Sequence, residues 1–156
     1  MKKLNAFTVA VSMIFIMTAA SLPEPGKPSV VAIAPQDTLK YKDGTYTGAS
    51  RDSYTAEPYW GIIKVKIENG AFAGISFMVR DSNLHETFDG SYEKHFEGNQ
   101  VYIEQCRNDW KGVQSYPERL MESQDIGKVD VVSGATWSYN IFKASLEEAL
   151  KTAKGD

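Results

Sequence analysis

The residues best placed to do chemistry lie near the C-terminus, in Val129-Asp130-Val131-Val132-Ser133-Gly134-Ala135-Thr136-Trp137-Ser138-Tyr139-Asn140. A β-branched apolar run is followed by three small residues and two hydroxyls, Thr136 and Ser138. Ile141, Phe142, Leu146, Ala149, Leu150 and Ala153 then recur near the helical period, which predicts an amphipathic helix over about 138–153. The stretch therefore reads as strand, tight turn and helix N-terminus. The first turn of a helix leaves backbone N–H groups without partners, and the helix dipole adds positive character there. Such a place suits an anion such as a phosphate, and small residues let it come close to the backbone. The competing reading is structural: Ser133 or Thr136 is the N-cap of the last helix.

The elements that must position this stretch are read from the rest of the chain. Gly61 to Ile67 alternates Ile63, Val65 and Ile67 against Lys64 and Lys66, and Ala71 to Val79 alternates in the same way. Together they predict a hairpin over 61–80. Two turns are possible around Asn69-Gly70. A three-residue turn, Glu68-Asn69-Gly70, pairs Ile67 with Ala71 and Ile63 with Ile75 and keeps the apolar faces together, so register favours it over a two-residue turn. Tyr41 to Ala49 predicts a short strand after the Asp43-Gly44 turn, and Arg51 to Tyr59 a loop. Ser91 to Trp110 reads as a short helix, a break at Gly98-Asn99 and a second helix. Ser115-Tyr116-Pro117-Glu118 reads as a fresh helix start that runs to Gln124, with Ile126-Gly127 ending it and a strand following over Lys128 to Val132. The fold class expected is α+β: an antiparallel sheet packed by helices.

The chain has 156 residues, 42% hydrophobic and 24% charged, enough for one domain with one core. A formal net charge of −3 and a pI near 5.4 argue against nucleic acid as a partner. Lys2-Lys3, an apolar run from Ala6 to Met17 and Thr18-Ala19-Ala20 make the three-part pattern of a secretory signal, 1–20, or an uncleaved N-terminal anchor. Residues 21–37 hold four of the six prolines and read as a tether. The expected location is therefore extracytoplasmic, in a periplasm or cell envelope, with the N-terminus as a possible membrane tether. Cys106 is the single cysteine, so no intrachain disulfide forms. His85 and His95, with Glu86 and Glu93, could be read as metal ligands. Their spacing fits neither a helical pair nor a standard zinc pattern, and loop or surface histidines are the other reading. No glycine-rich nucleotide loop and no Ser-His-Asp or Cys-His set is evident.

Asp130-x-x-Ser133-Gly134-Ala135-Thr136 resembles the flavinylation motif of the FMN-binding domain family, which includes the C subunit of the sodium-translocating NADH:quinone reductase and the G subunit of Rnf-type complexes. The hairpin and the Glu86-Thr87 pair in Asn83-Leu84-His85-Glu86-Thr87 are similar to the same family, whose domains carry a loop of the form "H-x-E-T" or similar; it is the Glu-Thr pair that matches. Where longer members have a glycine-rich segment, Phe88-Asp89-Gly90-Ser91 stands here. The resemblance covers about residues 41–153, and the domain expected from it is 38–156. It implies FMN held covalently on Thr136 by a phosphoester bond made by a flavin transferase that uses FAD and Mg²⁺. It implies a phosphate turn of Ser133, Gly134 and Ala135, an acidic position at Asp130, a motif hydroxyl at Ser138, and Glu86 and Thr87 as cofactor contacts. Trp137 and Tyr139 could stack on the ring or pack in the core. The expected function is an exported electron-transfer protein rather than a stand-alone catalyst, with a membrane electron donor or redox protein as partner. The alternative is an exported binding or interaction protein of the same fold, with non-covalent flavin or none. A flavin enzyme acting on a small substrate would need a partner domain or an acid near the ring.

Overall fold

The computed structural model describes residues 41–50 and 57–154. The expected leader and the proline-rich tether lie outside the described residues, as does most of the 51–59 loop. Four strands form one antiparallel sheet in chain order: β1 (Gly44–Ala49), β2 (Tyr59–Glu68), β3 (Ala71–Asp81) and β4 (Glu86–Phe88). A 3-10 turn, Tyr92–Phe96, leads into a 24-residue helix, α1 (Gln100–Ser123). A second 3-10 turn, Ile126–Lys128, and an irregular segment lead to the last helix, α2 (Thr136–Lys151). The fold is α+β, with the expected hairpin and C-terminal helix in place.

The hairpin turn differs from the expected one. Glu68 pairs with Ala71 across a two-residue turn, and Asn69 and Gly70 both have positive φ, 53° and 73°. That is the mirror-image turn whose twist suits a hairpin, and Asn-Gly is its preferred pair. The apolar faces still meet because Ala73 is an extra residue in β3. Ile67 pairs with Phe72, Lys66 with Gly74, and from there Val65 faces Ile75 and Ile63 faces Phe77. The bulge, not the turn, corrects the phase. Two distant side chains hold this geometry. The Asp43 carboxylate accepts from the Asn69 and Gly70 amides, each at 2.9 Å. The Gln124 carboxamide, just past α1, accepts from the Phe72 amide at 2.7 Å and donates to the Phe72 carbonyl at 3.1 Å.

Two further expectations are corrected. Pro117 does not start a helix; it lies inside α1. It removes one backbone donor, but Gly112, Val113, Tyr116 and Leu120 on the same stripe are buried, and their packing outweighs one lost bond. The 128–132 segment is not a strand. Val129 and Val132 are buried in the core, which explains the apolar signal, but this segment joins no strand of the sheet.

The core lies between one sheet face and the two helices. Ile63, Val65, Ile67 and Phe72 meet Tyr116, Leu120, Phe142, Leu146 and Leu150. A smaller cluster, built on Val79, Phe88, Tyr92, Val113 and Ile141, extends toward β4. Close approach of α2 to the sheet depends on Gly48. A Cβ there would sit 2.1 Å from the Ser145 carbonyl oxygen and 2.4 Å from the Ala149 nitrogen.

Candidate functional site

One stripe of α1 holds the start of α2. Gln105, Asp109, Gly112 and Tyr116 are spaced four, three and four residues apart, so they share a helix face. Gln105 Nε2 donates to the Gly134 carbonyl at 2.7 Å and to Asp109 Oδ2 at 2.6 Å. Asp109 is buried, and its Oδ1 accepts from the Ser138 amide at 3.1 Å and the Ser138 hydroxyl at 2.8 Å. Gly112 makes room for Ser138, since a Cβ there would be 2.7 Å from Ser138 Oγ. The Tyr116 hydroxyl donates to the Ala135 carbonyl at 2.8 Å and accepts from the Val132 amide at 3.4 Å, closing the Ser133-Gly134 turn from both sides. Burial pushes the Tyr116 phenol above its ordinary value, so it stays a donor. Gly134 has φ of 75°, and a Cβ on it would meet Asn108 Nδ2 at 2.8 Å.

This arrangement decides between the two readings of the hydroxyls. The N-cap position of α2 is Ala135, with no side-chain cap. Neither Ser133 nor Thr136 caps the helix; the carboxylate of Asp109, from another element, serves the Ser138 amide instead. Ala135 is fully buried, whereas Ser133, Gly134 and Thr136 are exposed. Thr136 therefore presents a hydroxyl to solvent at the first residue of a firmly held helix.

Beside it opens a cleft of about 330 Å³. Trp137, the residue after Thr136, forms one wall. It meets Tyr59 edge-on with ring centroids 5.2 Å apart and Phe88 at 5.3 Å. Its indole N–H donates to Glu57 Oε2 at 3.0 Å, which fixes the ring. Tyr92 and Phe96 from the 3-10 turn and Tyr102 from α1 continue the aromatic lining, with Phe96 and Tyr102 stacked at 5.4 Å. Gln105, Cys106 and Asp109 form the α1 side. The Cys106 thiol is pushed up to about 11 by burial and by the carboxylates of Asp109 and Glu93, which keeps it protonated and a weak nucleophile. A smaller cavity of about 180 Å³ lies beside Arg107 and Trp110, and none of the α2 residues lines it.

The expected site residues divide. Ser133, Gly134, Ala135, Thr136 and Ser138 are brought together, Ser138 as the buried anchor on Asp109. Asp130 is exposed, and its backbone carbonyl accepts from Arg119 at 2.6 Å. Glu86 and Thr87 are on β4, but neither lines the cleft; the next residue, Phe88, does. Glu86 Oε2 lies 2.8 Å from His95 Nε2 and 3.2 Å from Lys94 Nζ. The His95 and Lys94 contacts hold its carboxyl below the ordinary carboxylate value. Trp137 is a cleft wall, while Tyr139 packs on Tyr116 with ring centroids 5.4 Å apart, inside the core. Among the described residues, no group of three or more His, Cys, Asp or Glu side chains is placed to hold a metal ion. Sequence reasoning missed Tyr59, Phe88 and Tyr102 as cleft residues and Asp109 as the anchor. Asp109 has one legible signal, its helical spacing with Gln105, Gly112 and Tyr116; the three cleft rings have none in the local sequence.

A family model described as the FMN-binding domain matches residues 58–151, a span that takes in the Thr136 turn and every cleft residue but Glu57. The chain belongs to the FMN-binding domain family. The match supports flavin binding, and with it electron transfer, as the work of this FMN-binding domain. No curated protein matches the chain. The fold is similar to that of a crystal structure of a protein from Clostridium perfringens, 24% identical, covering 72% of this chain and 88% of that one with a TM-score of 0.51. A solution NMR structure of a protein from Clostridium thermocellum is 19% identical, covering 69% of this chain and 92% of that one with a TM-score of 0.37. The residues of this FMN-binding domain suit the group: an apolar, ring-lined cleft for a flat heterocycle beside an exposed turn and a hydroxyl not used for capping.

Proposed function

We propose that this FMN-binding domain is an exported electron carrier whose FMN is attached through a phosphoester to Thr136. The observation that carries the reading is the Thr136 hydroxyl itself. It is exposed, it is not the helix cap, and it precedes the aromatic wall of the cleft by one residue. In the attachment step, Thr136 Oγ1 loses its proton and forms the new P–O bond. The pyrophosphate bond of FAD breaks and AMP leaves, in a reaction run by a flavin transferase with Mg²⁺.

The charges around the cleft favour the covalent form. Glu57 and Asp109 line it, and among the described residues no lysine or arginine does. The field at the start of α2 is already partly answered by Asp109. A phosphate held there by electrostatics alone would gain little, so a bond to Thr136 supplies the retention. The flavin, when bound, supplies reversible electron acceptance and donation. The chain's own residues hold and shield it: Trp137, Tyr59 and Phe88 present ring edges and faces, and Ser138–Asp109 and Tyr116 fix the turn. Export through the 1–20 segment, a tether over 21–37 and a membrane or protein electron donor complete the reading. Among the described residues no helix is long and apolar enough to cross a membrane.

Intact mass after co-expression with a flavin transferase tests it. The expected result is added mass equal to one FMN less a water, with flavin fluorescence that survives denaturation and is lost in Thr136→Ala. No adduct, with the transferase active on a control domain, would refute the covalent assignment and leave FMN held non-covalently. Thr136→Ala is expected to change stability by no more than about 0.5 kcal/mol, because an exposed non-capping side chain is removed.

A further inference from the structure

The polar groups of the cleft form a hydrogen-bond chain with a fixed direction. Asp81 closes β3 and is buried. Its Oδ1 accepts from the Asn83 amide at 2.8 Å and the Leu84 amide at 3.2 Å. Its Oδ2 accepts from the Tyr92 hydroxyl. Burial pushes the Asp81 carboxyl up, but the bonds from Tyr92, Leu84 and Asn83 outweigh it and hold the group below its ordinary value. An ionised carboxylate only accepts, so the single Tyr92 proton is directed to Asp81. The Tyr59 oxygen lies 3.0 Å from the Tyr92 oxygen. With the Tyr92 proton engaged, the proton between the two phenols belongs to Tyr59; otherwise two lone pairs would face each other. Tyr59, which lines the cleft, therefore has its proton used inside the protein and an oxygen that can only accept.

Two neighbouring donor groups are engaged as well. Gln105 Nε2 gives its protons to Asp109 and Gly134, and the Trp137 indole N–H goes to Glu57. Around Tyr59 and Trp137 the cleft thus offers a ligand aromatic surface and hydrogen-bond acceptors, while the Tyr102 hydroxyl and the Cys106 thiol are its donors on the α1 side.

We propose that Tyr59 Oη accepts the ring N–H at N3 of the isoalloxazine, and that this bond makes the cleft specific for a planar ring with a donor on its edge. The proposal rests on the reading of the cleft as the flavin-ring site. The oxidised isoalloxazine has a single ring N–H, at N3, so one methyl group there removes the donor without changing the rest of the ring.

The test uses the full chain produced without a flavin transferase. It is titrated with riboflavin and with N3-methylriboflavin, following the quenching of flavin emission by the cleft's aromatic rings. Wild type is expected to bind riboflavin about three- to tenfold more tightly, the range of one net hydrogen bond. Tyr59→Phe is expected to bind the two alike. Equal binding by wild type, or a preference that survives Tyr59→Phe, overturns the acceptor role and leaves the cleft as a ring site. Binding of neither flavin overturns the ring site and the acceptor role together. A second measurement needs no variant. With ¹⁵N-labelled riboflavin bound to wild type, the N3 proton is expected to be protected from solvent exchange. Exchange as fast as in free riboflavin overturns the proposal.

Discussion

Replacing Tyr92 by Phe deletes one oxygen and leaves the ring in place. In the folded protein that oxygen donates to Asp81 Oδ2 and accepts from Tyr59. Asp81 is 3% exposed, so the vacated carboxylate oxygen has little access to water. A hydrogen bond to a charged group contributes about 1.5–3 kcal/mol, and an orphaned buried partner adds to the loss. The Tyr59 hydroxyl is half-buried and recovers part of its bond from solvent, so its share is small. Tyr92→Phe is therefore expected to lose about 2–3 kcal/mol at pH 7, or roughly 10 °C in Tm for a domain of this size. The pH dependence is the sharper check. The folded Asp81 pKa is held below its ordinary 3.8, so its contribution is present above about pH 4 and is lost as pH falls through the folded value. Removing the Tyr92 donor raises the folded pKa and shrinks that contribution. Urea denaturation of both proteins at pH 7 and at pH 3 should show a gap that narrows in acid. A gap under about 0.5 kcal/mol at pH 7, or one equal at both pH values, would refute the account of the Tyr92–Asp81 bond.

Three further perturbations bear on how the site is held. Gly48→Ala drives a methyl into the α2 backbone, 2.1 Å from the Ser145 oxygen, and should cost about 3 kcal/mol or more by denaturant titration. Asp109→Ala strips the acceptor from Ser138 and Gln105, and a loss of about 2–4 kcal/mol is expected, with faster amide exchange confined first to the opening turn of α2. Pro117→Ala restores a backbone donor inside α1 and should raise the stability read from denaturant titration by about 1–3 kcal/mol; a fall would show that the ring's own packing matters more.

The hairpin, the last helix and the motif turn were legible because each has a local cause: alternation, helical spacing and small residues. The hairpin register was not, because Ala73 bulges. The residue that fixes the bulge, Gln124, pairs with Phe72 from 52 positions away. The continuity of α1 through Pro117 was hidden because a proline near an acid reads locally as a helix start, while the buried stripe that overrides it is a tertiary fact. Val129 and Val132 looked like a strand because burial, not sheet pairing, selects such residues. The cleft was the least legible part. Its rings come from β2, β4, a 3-10 turn, α1 and α2, and no window of sequence contains them together.

The 24 residues of α1 form one rod, about 36 Å long at 1.5 Å per residue. Its first half carries Tyr102, Gln105, Cys106 and Asp109 of the cleft, and its second half carries Tyr116 and Leu120 of the core. The cleft wall is thus mechanically the same object as the domain's main support. It has no hinge of its own, so it cannot swing open without lifting the core with it. On the proposal that the cleft takes the flavin ring, its admission falls instead to the first turn of the rod. There Val101 is 77% exposed, Tyr102 is 55% exposed, and a single Asn99 cap ties down the Tyr102 amide at 3.3 Å. An exposed first turn of this kind is where a helix loosens most easily, and loosening it would also part the Phe96–Tyr102 stack of the cleft wall.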